Sequence, residues 1–129
     1  MPRKPSTTFT DRELDVMTVL WAHGAATVAD VRERLDDDLA YTTVLTVLRT
    51  LEDKGHIGHR EEGKAHRYFA KVEVHAARRS ALSRVVDRVF GGSAEMLLTQ
   101  LVSDRKLSAA EIKRLRSLLD EQVKRSRKS

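Results

Sequence analysis

The amino-acid sequence predicts a mainly α-helical chain in two parts: three short helices with a β-hairpin, then three further helices. Three observations lead there. Apolar residues recur at helical spacing in separate stretches that end at Gly24, Gly55 and Gly91-Gly92 or in polar runs. Thr10-Asp11-Arg12-Glu13 and Ser108-Ala109-Ala110-Glu111 read as capping boxes, each opening a helix. Between Gly55 and Val72 the helical period is lost, and two short segments flank Glu61-Glu62-Gly63-Lys64 as the arms of a hairpin.

Taken in order, residues 1–9 read as a flexible arm with two prolines and a Ser-Thr-Thr run. The first helix spans roughly 10–23, with Leu14, Met17, Val19, Leu20 and Trp21 as its apolar stripe. Thr27 is the N-cap of a short second helix carrying Val28, Val31 and Leu35, and Asp36-Asp37-Asp38 stops it. Tyr41-Thr42-Thr43 opens a third helix whose Val44, Val47, Leu48 and Leu51 fall at i, i+3, i+4 and i+7. The hairpin arms are His56–Arg60 and Ala65–Phe69. Helices over 72–90, 93–102 and 108–124 follow, with Leu82, Val86 and Val89, then Leu97 and Leu101, then Ile112, Leu115, Leu118 and Leu119 among their apolar positions. The implied organisation is an arm (1–9), a first domain (10–71), a helical domain (72–124) and a basic tail (125–129), expected to be solvated and disordered.

Composition narrows the function. The chain has 129 residues, no Cys and a net charge of +5. Without Cys there is no disulfide framework, no thiolate metal site and no thiol nucleophile. No stretch approaches a membrane span, and the basic N-terminus lacks the apolar run of a secretory signal, so the chain is read as cytoplasmic and not membrane-inserted. The basic excess is uneven. Residues 1–71 hold 11 Lys+Arg against 12 Asp+Glu, whereas Lys124, Arg125, Arg127 and Lys128 crowd the last eight positions with no acid.

Three helices followed by a hairpin is the element order of a winged helix-turn-helix, a DNA-binding module whose third helix enters the major groove. The side of that helix opposite its apolar stripe carries Thr42, Thr43, Thr46, Arg49, Thr50 and Asp53, and Tyr41 at its start joins the candidate DNA contacts. Thr can donate, accept and pack its methyl on thymine, and Arg can bond guanine or phosphate. The hairpin adds Arg60, Lys64 and Arg67, suited to phosphate or minor-groove contact, so the four cations are expected on one surface. The later helices are too poor in aromatics to make a core alone and are expected to bury their apolar stripes in a homodimer. The alternative is a winged-helix module that docks on a protein, which would need exposed apolar or aromatic anchors on the third helix. His56, His59 and His66 all fall on the expected hairpin, but the first two point to opposite faces of a regular strand, so no metal is assigned. No nucleophile elbow or phosphate-binding glycine loop appears, so no enzyme and no cofactor is expected.

The combination Tyr41-Thr42-Thr43-Val44-Leu45-Thr46-Val47-Leu48, Leu51-Glu52-Asp53-Lys54-Gly55 and Gly63-Lys64-Ala65-His66-Arg67-Tyr68 resembles the penicillinase repressor family, the BlaI/MecI type. Glu13, Val16, Met17 and Leu20-Trp21 match it too, as do Leu107-Ser108, Glu111-Ile112 and Leu115, so the resemblance runs over about residues 8–122. It implies a dimeric winged-helix repressor on a two-fold symmetric operator. In the β-lactam branch it further implies a membrane sensor-protease that cuts the dimerisation domain, here near Gln100-Leu101. The sequence departs from the family in three places. The family's Asn-Phe pair is absent at the cut, the cysteine cluster of copper-responsive relatives is missing, and Arg49 stands one position before the basic residue many relatives carry.

Overall fold

Thr10 and Thr27 each start a helix by the same exchange. The Glu13 N–H donates to Thr10 Oγ1 at 3.1 Å while the Thr10 N–H donates to Glu13 Oε1 at 2.8 Å. Asp30 and Thr27 repeat this at 3.1 and 3.2 Å. Each box satisfies two of the donors that a helix start leaves open. The structure, a computed structural model, describes residues 8–128, so the expected arm lies almost wholly outside the described residues.

The elements are α1 (Asp11–His23), α2 (Val28–Arg34), α3 (Tyr41–Asp53), β1 (Ile57–Glu62), β2 (Ala65–Ala70), α4 (Val74–Val89), α5 (Ala94–Asp104) and α6 (Ala109–Lys128). This is the winged helix-turn-helix order followed by helices, as the periodicity predicts. The chain divides into two compact units, residues 1–84 and 85–129.

In the first unit, Val16, Met17, Val31, Val44, Leu48 and Leu51 are fully buried. Ile57 and Tyr68 close the same core from the hairpin. Full burial of a Val, Leu or Met side chain contributes roughly 1.5–3 kcal/mol. Leu14, expected on the buried stripe of α1, is instead 37% exposed, and Val16 joins the core. Leu14 and Trp21 line a groove with Val74 and Ala77.

The hairpin is antiparallel, with Ile57 opposite Ala70, Arg60 opposite Arg67 and Glu62 opposite Ala65. Gly63 and Lys64 make its turn. Gly63 has φ +62, the left-handed backbone that the first position of a tight hairpin turn requires. Gly58 answers a different need, because a Cβ there would lie 2.8 Å from the Phe69 ring. Ala26 and Tyr68 exchange backbone hydrogen bonds at 2.9 and 2.8 Å, which tie the hairpin to the segment before α2.

The first unit runs further than the sequence suggests. Trp21 Nε1 donates to the Val72 carbonyl at 2.8 Å, and Ala77 is buried, so the division falls inside α4 rather than at 71/72. His56, expected on the first strand, precedes β1 and is fully buried. The basic tail expected to be disordered is instead the last turn of α6 as far as Lys128.

A buried polar group completes this unit. Glu13 is nearly inaccessible, and its Oε1 accepts from Lys54 Nζ at 2.8 Å. Burial pushes its carboxyl up, but the Lys54 and Thr10 hydrogen bonds outweigh burial and hold it below the ordinary carboxylate value. Burial, aided by the Lys54 charge, pushes the His56 imidazole down despite Glu13. Phe9 covers that ring at 4.5 Å between centroids.

Candidate nucleic-acid interface

One face of α3 is committed to the core through Val44, Leu48 and Leu51, with Val47 half-buried. The opposite face is exposed and carries Tyr41, Thr42, Thr43, Thr46, Arg49 and Thr50, as expected. The threonine hydroxyls are not all open. Thr46 Oγ1 donates to the Thr42 carbonyl and Thr50 Oγ1 to the Thr46 carbonyl, both at 2.9 Å. Their donor hydrogens are therefore used within the helix. What Thr46 and Thr50 present outward is a methyl group and an acceptor lone pair. That pairing suits a thymine methyl or an exocyclic base amine better than a base acceptor.

The hairpin and α3 share an open cleft of about 320 Å³. It is lined by Tyr41, Leu45 and Arg49 of α3, by Lys64, His66 and Tyr68 of the hairpin, and by the start of α2. Tyr68 forms the cleft floor, and burial first, then the Glu52 carboxylate, raises its phenol above the ordinary value while Arg49 opposes. Arg49, Arg60 and Lys64 make no ion pair among the described residues. Their charges remain available to an anion.

The structure divides the four cations that the sequence groups on one surface. Arg49 and Lys64 meet in the cleft. Arg60 and Arg67 are register partners, one residue out of phase with His66 and Tyr68, and so take the other face of the hairpin. Arg67 is also held internally. Its Nε donates to Glu62 at 2.7 Å and its Nη1 to the Ala25 carbonyl at 3.2 Å, with Asp30 at 3.9 Å. It ties the wing to the start of α2, a role that only the tertiary arrangement reveals. The acidic run is likewise partly occupied, since Arg12 of α1 donates to Asp37 at 2.8 Å.

Sequence reasoning missed two further features. His59 and His66 stack with ring centroids 4.5 Å apart and planes 11° from parallel, and His59 Nδ1 lies 2.5 Å from Glu52 Oε2 of α3. The signal was available in their spacing: seven residues across a two-residue turn place them diagonally on one face. Among the described residues no three His, Asp or Glu side chains are placed to hold a metal ion.

The expected dimerisation residues are elsewhere. Leu82, Val89, Leu101, Ile112, Leu118 and Leu119 are exposed, and Val86, Leu97 and Leu115 are half-buried. Gln100 and Leu101 are exposed in the middle of α5, where the Gln100 amide donates to Asp104. Among the described residues no helix is long and apolar enough to cross a membrane.

The family model of the penicillinase repressor matches residues 9–121. The chain is similar to the penicillinase repressor of Bacillus licheniformis, 25% identical over 119 residues, covering 91% of this chain and 93% of that protein. It is also similar to the transcriptional regulator BlaI of Mycobacterium tuberculosis (strain ATCC 25618 / H37Rv), 35% identical over 107 residues, covering 67% of this chain and 78% of the regulator. Among solved structures, the solution structure of the Bacillus licheniformis BlaI monomeric form with the blaP half-operator is 29% identical. It covers 57% of this chain and 89% of that one with a TM-score of 0.47.

Proposed function

Since the chain belongs to the penicillinase repressor family and is a DNA-binding transcriptional repressor rather than an enzyme, we propose that it represses by holding a two-fold symmetric operator as a homodimer. Each protomer inserts α3 into a major groove, with Thr42, Thr43, Thr46, Arg49 and Thr50 at the bases and phosphates. Tyr41, Lys64 and Arg60 hold the flanking backbone, while Arg67 keeps the wing in place. The observation that carries this reading is the cleft in which unpaired Arg49 and Lys64 face each other across the α3–wing junction. A protein-docking face would need several apolar or aromatic anchors. On the exposed side of α3 only Tyr41, 48% exposed, could serve as one.

Pairing through α4–α6 is supported by what those helices leave uncovered. Val89 is 70% exposed and Leu118 63%, an apolar surface that a solvated monomer does not usually carry. A dimer binds its second half-site intramolecularly, which raises affinity by roughly 10²–10⁴ without a new contact. Release follows from undoing that pairing. A membrane sensor-protease acting in the cytoplasm would cut near Gln100-Leu101, a bond that α5 must first unwind to present.

Gel-shift with genomic fragments at ~150 mM salt tests the core claim. Selective retention of particular fragments is expected. Binding no tighter than to random DNA removes the operator reading.

A further inference from the structure

The stacked histidines of the wing have no part in the reading above, yet one of them lines its cleft. In the hairpin register His59 pairs with Tyr68 and His66 with Glu61, so these four side chains share one face. That face turns His66 toward Arg49 and Lys64. We propose that His66 is a phosphate-contacting residue of the DNA cleft and that, coupled to His59 by the ring stack, it makes operator binding take up a proton. This rests on the DNA-binding reading of the same cleft.

Histidine is the side chain whose charge ordinarily changes between roughly pH 5 and 8. An imidazolium stacks well on a neutral ring, but two imidazoliums at 4.5 Å repel, so a charge on one ring is felt by the other. Within the free protein the two rings are unequally served. His59 has the Glu52 carboxylate of α3 at 2.5 Å. Among the described residues His66 has Glu61 as its one acidic partner, at 4.0 Å and largely exposed, while Arg49 of α3 and Lys64 of the turn present like charge across the cleft. Tyr41 and Tyr68 line the same cleft, and the start of α2 contributes Thr27, Val28 and Ala29, none of them charged. A DNA phosphate in the cleft reverses this balance. It neutralises Arg49 and Lys64 and offers His66 Nε2 an oxyanion to which an imidazolium donates. Bound DNA therefore draws a proton onto the pair, and by reciprocity a lower pH tightens binding. Glu52 and His59 act as positioning residues, holding one ring so that the other stands in the cleft.

The experiment is calorimetry of the full chain with a genomic fragment retained in the gel-shift, near pH 7, in buffers of different ionisation enthalpy. The wild type is expected to take up a fraction of a proton per protomer, and its affinity to rise as pH falls from about 8 to 6, by at most about tenfold per pH unit for each protomer bound. His66→Gln should bind selectively with no uptake from this site and a flatter pH slope. His66→Arg should bind at least as tightly as wild type with the same flat slope. Lys64→Gln should bind more weakly and retain a reduced but non-zero uptake. Zero uptake by the wild type, or equal uptake by His66→Gln, overturns the proposal while leaving DNA binding intact. A chain that retains no fragment at any pH overturns the DNA reading and this proposal together.

Discussion

Leu48 and Leu118 are the same side chain on two amphipathic helices, yet Leu48 is fully buried and Leu118 is 63% exposed. The contrast extends to whole regions. All buried side chains among the described residues lie at or before Ala77, and none lies between Val85 and Lys128. The first unit closes around its own core because α1, α2 and α3 turn their apolar stripes on one another and the wing adds Ile57 and Tyr68. The second has apolar stripes of comparable quality and leaves them uncovered. The lesson is that an amphipathic stripe predicts burial without saying against what. A helix that covers its stripe within the chain supports a rigid reading head, and one that does not is available to a second copy.

Substitutions in each region test that contrast. The largest effect is expected from Leu118→Asp together with Leu115→Asp. Sedimentation should show monomers, and operator affinity should fall on the order of 10²-fold or more. An intact dimer would reject α6 as part of the interface. Leu48→Ala attacks the other region and should cost about 2–5 kcal/mol of stability in denaturant unfolding, by leaving a cavity under α3. If the helical unit alone pairs the chain, the oligomeric state of folded protein should be unchanged. Thr46→Ala should leave stability nearly untouched and cost about 1–3 kcal/mol of operator discrimination at one base position, read from a panel of operator variants.

Acid should strike the first unit before the second. The His56 imidazole is held below its ordinary value, so the unfolded chain binds a proton that the fold refuses. Stability is complete above the unfolded value of 6.5 and is lost as pH falls below it. Glu13 is also depressed, so its contribution is present above 4.5 and lost at lower pH. His56→Leu should flatten the dependence of the urea midpoint between about pH 7 and 5 while leaving the more acidic loss in place. An unchanged slope would mean that His56 is not the acid-sensitive group. Lys64→Ala is the smallest change expected. It should weaken binding to all sequences alike and lower the salt slope by about one. A change in base preference instead would show the wing reading bases.

Much of the first unit was legible because its signals are local. The box at Thr10/Glu13, the stop at Gly55 and the turn at Gly63 depend on residues within a few positions of one another. The stripe of α3 was legible for the same reason. The exposed side of Leu14 was not, since α1 carries apolar residues on two faces and only its neighbours choose between them. Nor was the division of the arginines. Arg67 reads as a groove cation in one dimension, but Glu62, Asp30 and the Ala25 carbonyl converge on it from three places.

The sequence by itself therefore determined the element order, the helix starts and the threonine-rich outer face of α3, because periodicity and capping are short-range physics. Tertiary structure decided which charges are free. It took Arg67 and Asp37 into internal pairs, left Arg49 and Lys64 facing an open cleft, and set His66 beside them on His59. Those outcomes depend on distances between residues far apart in the chain, and electrostatic partnership follows distance, not sequence order.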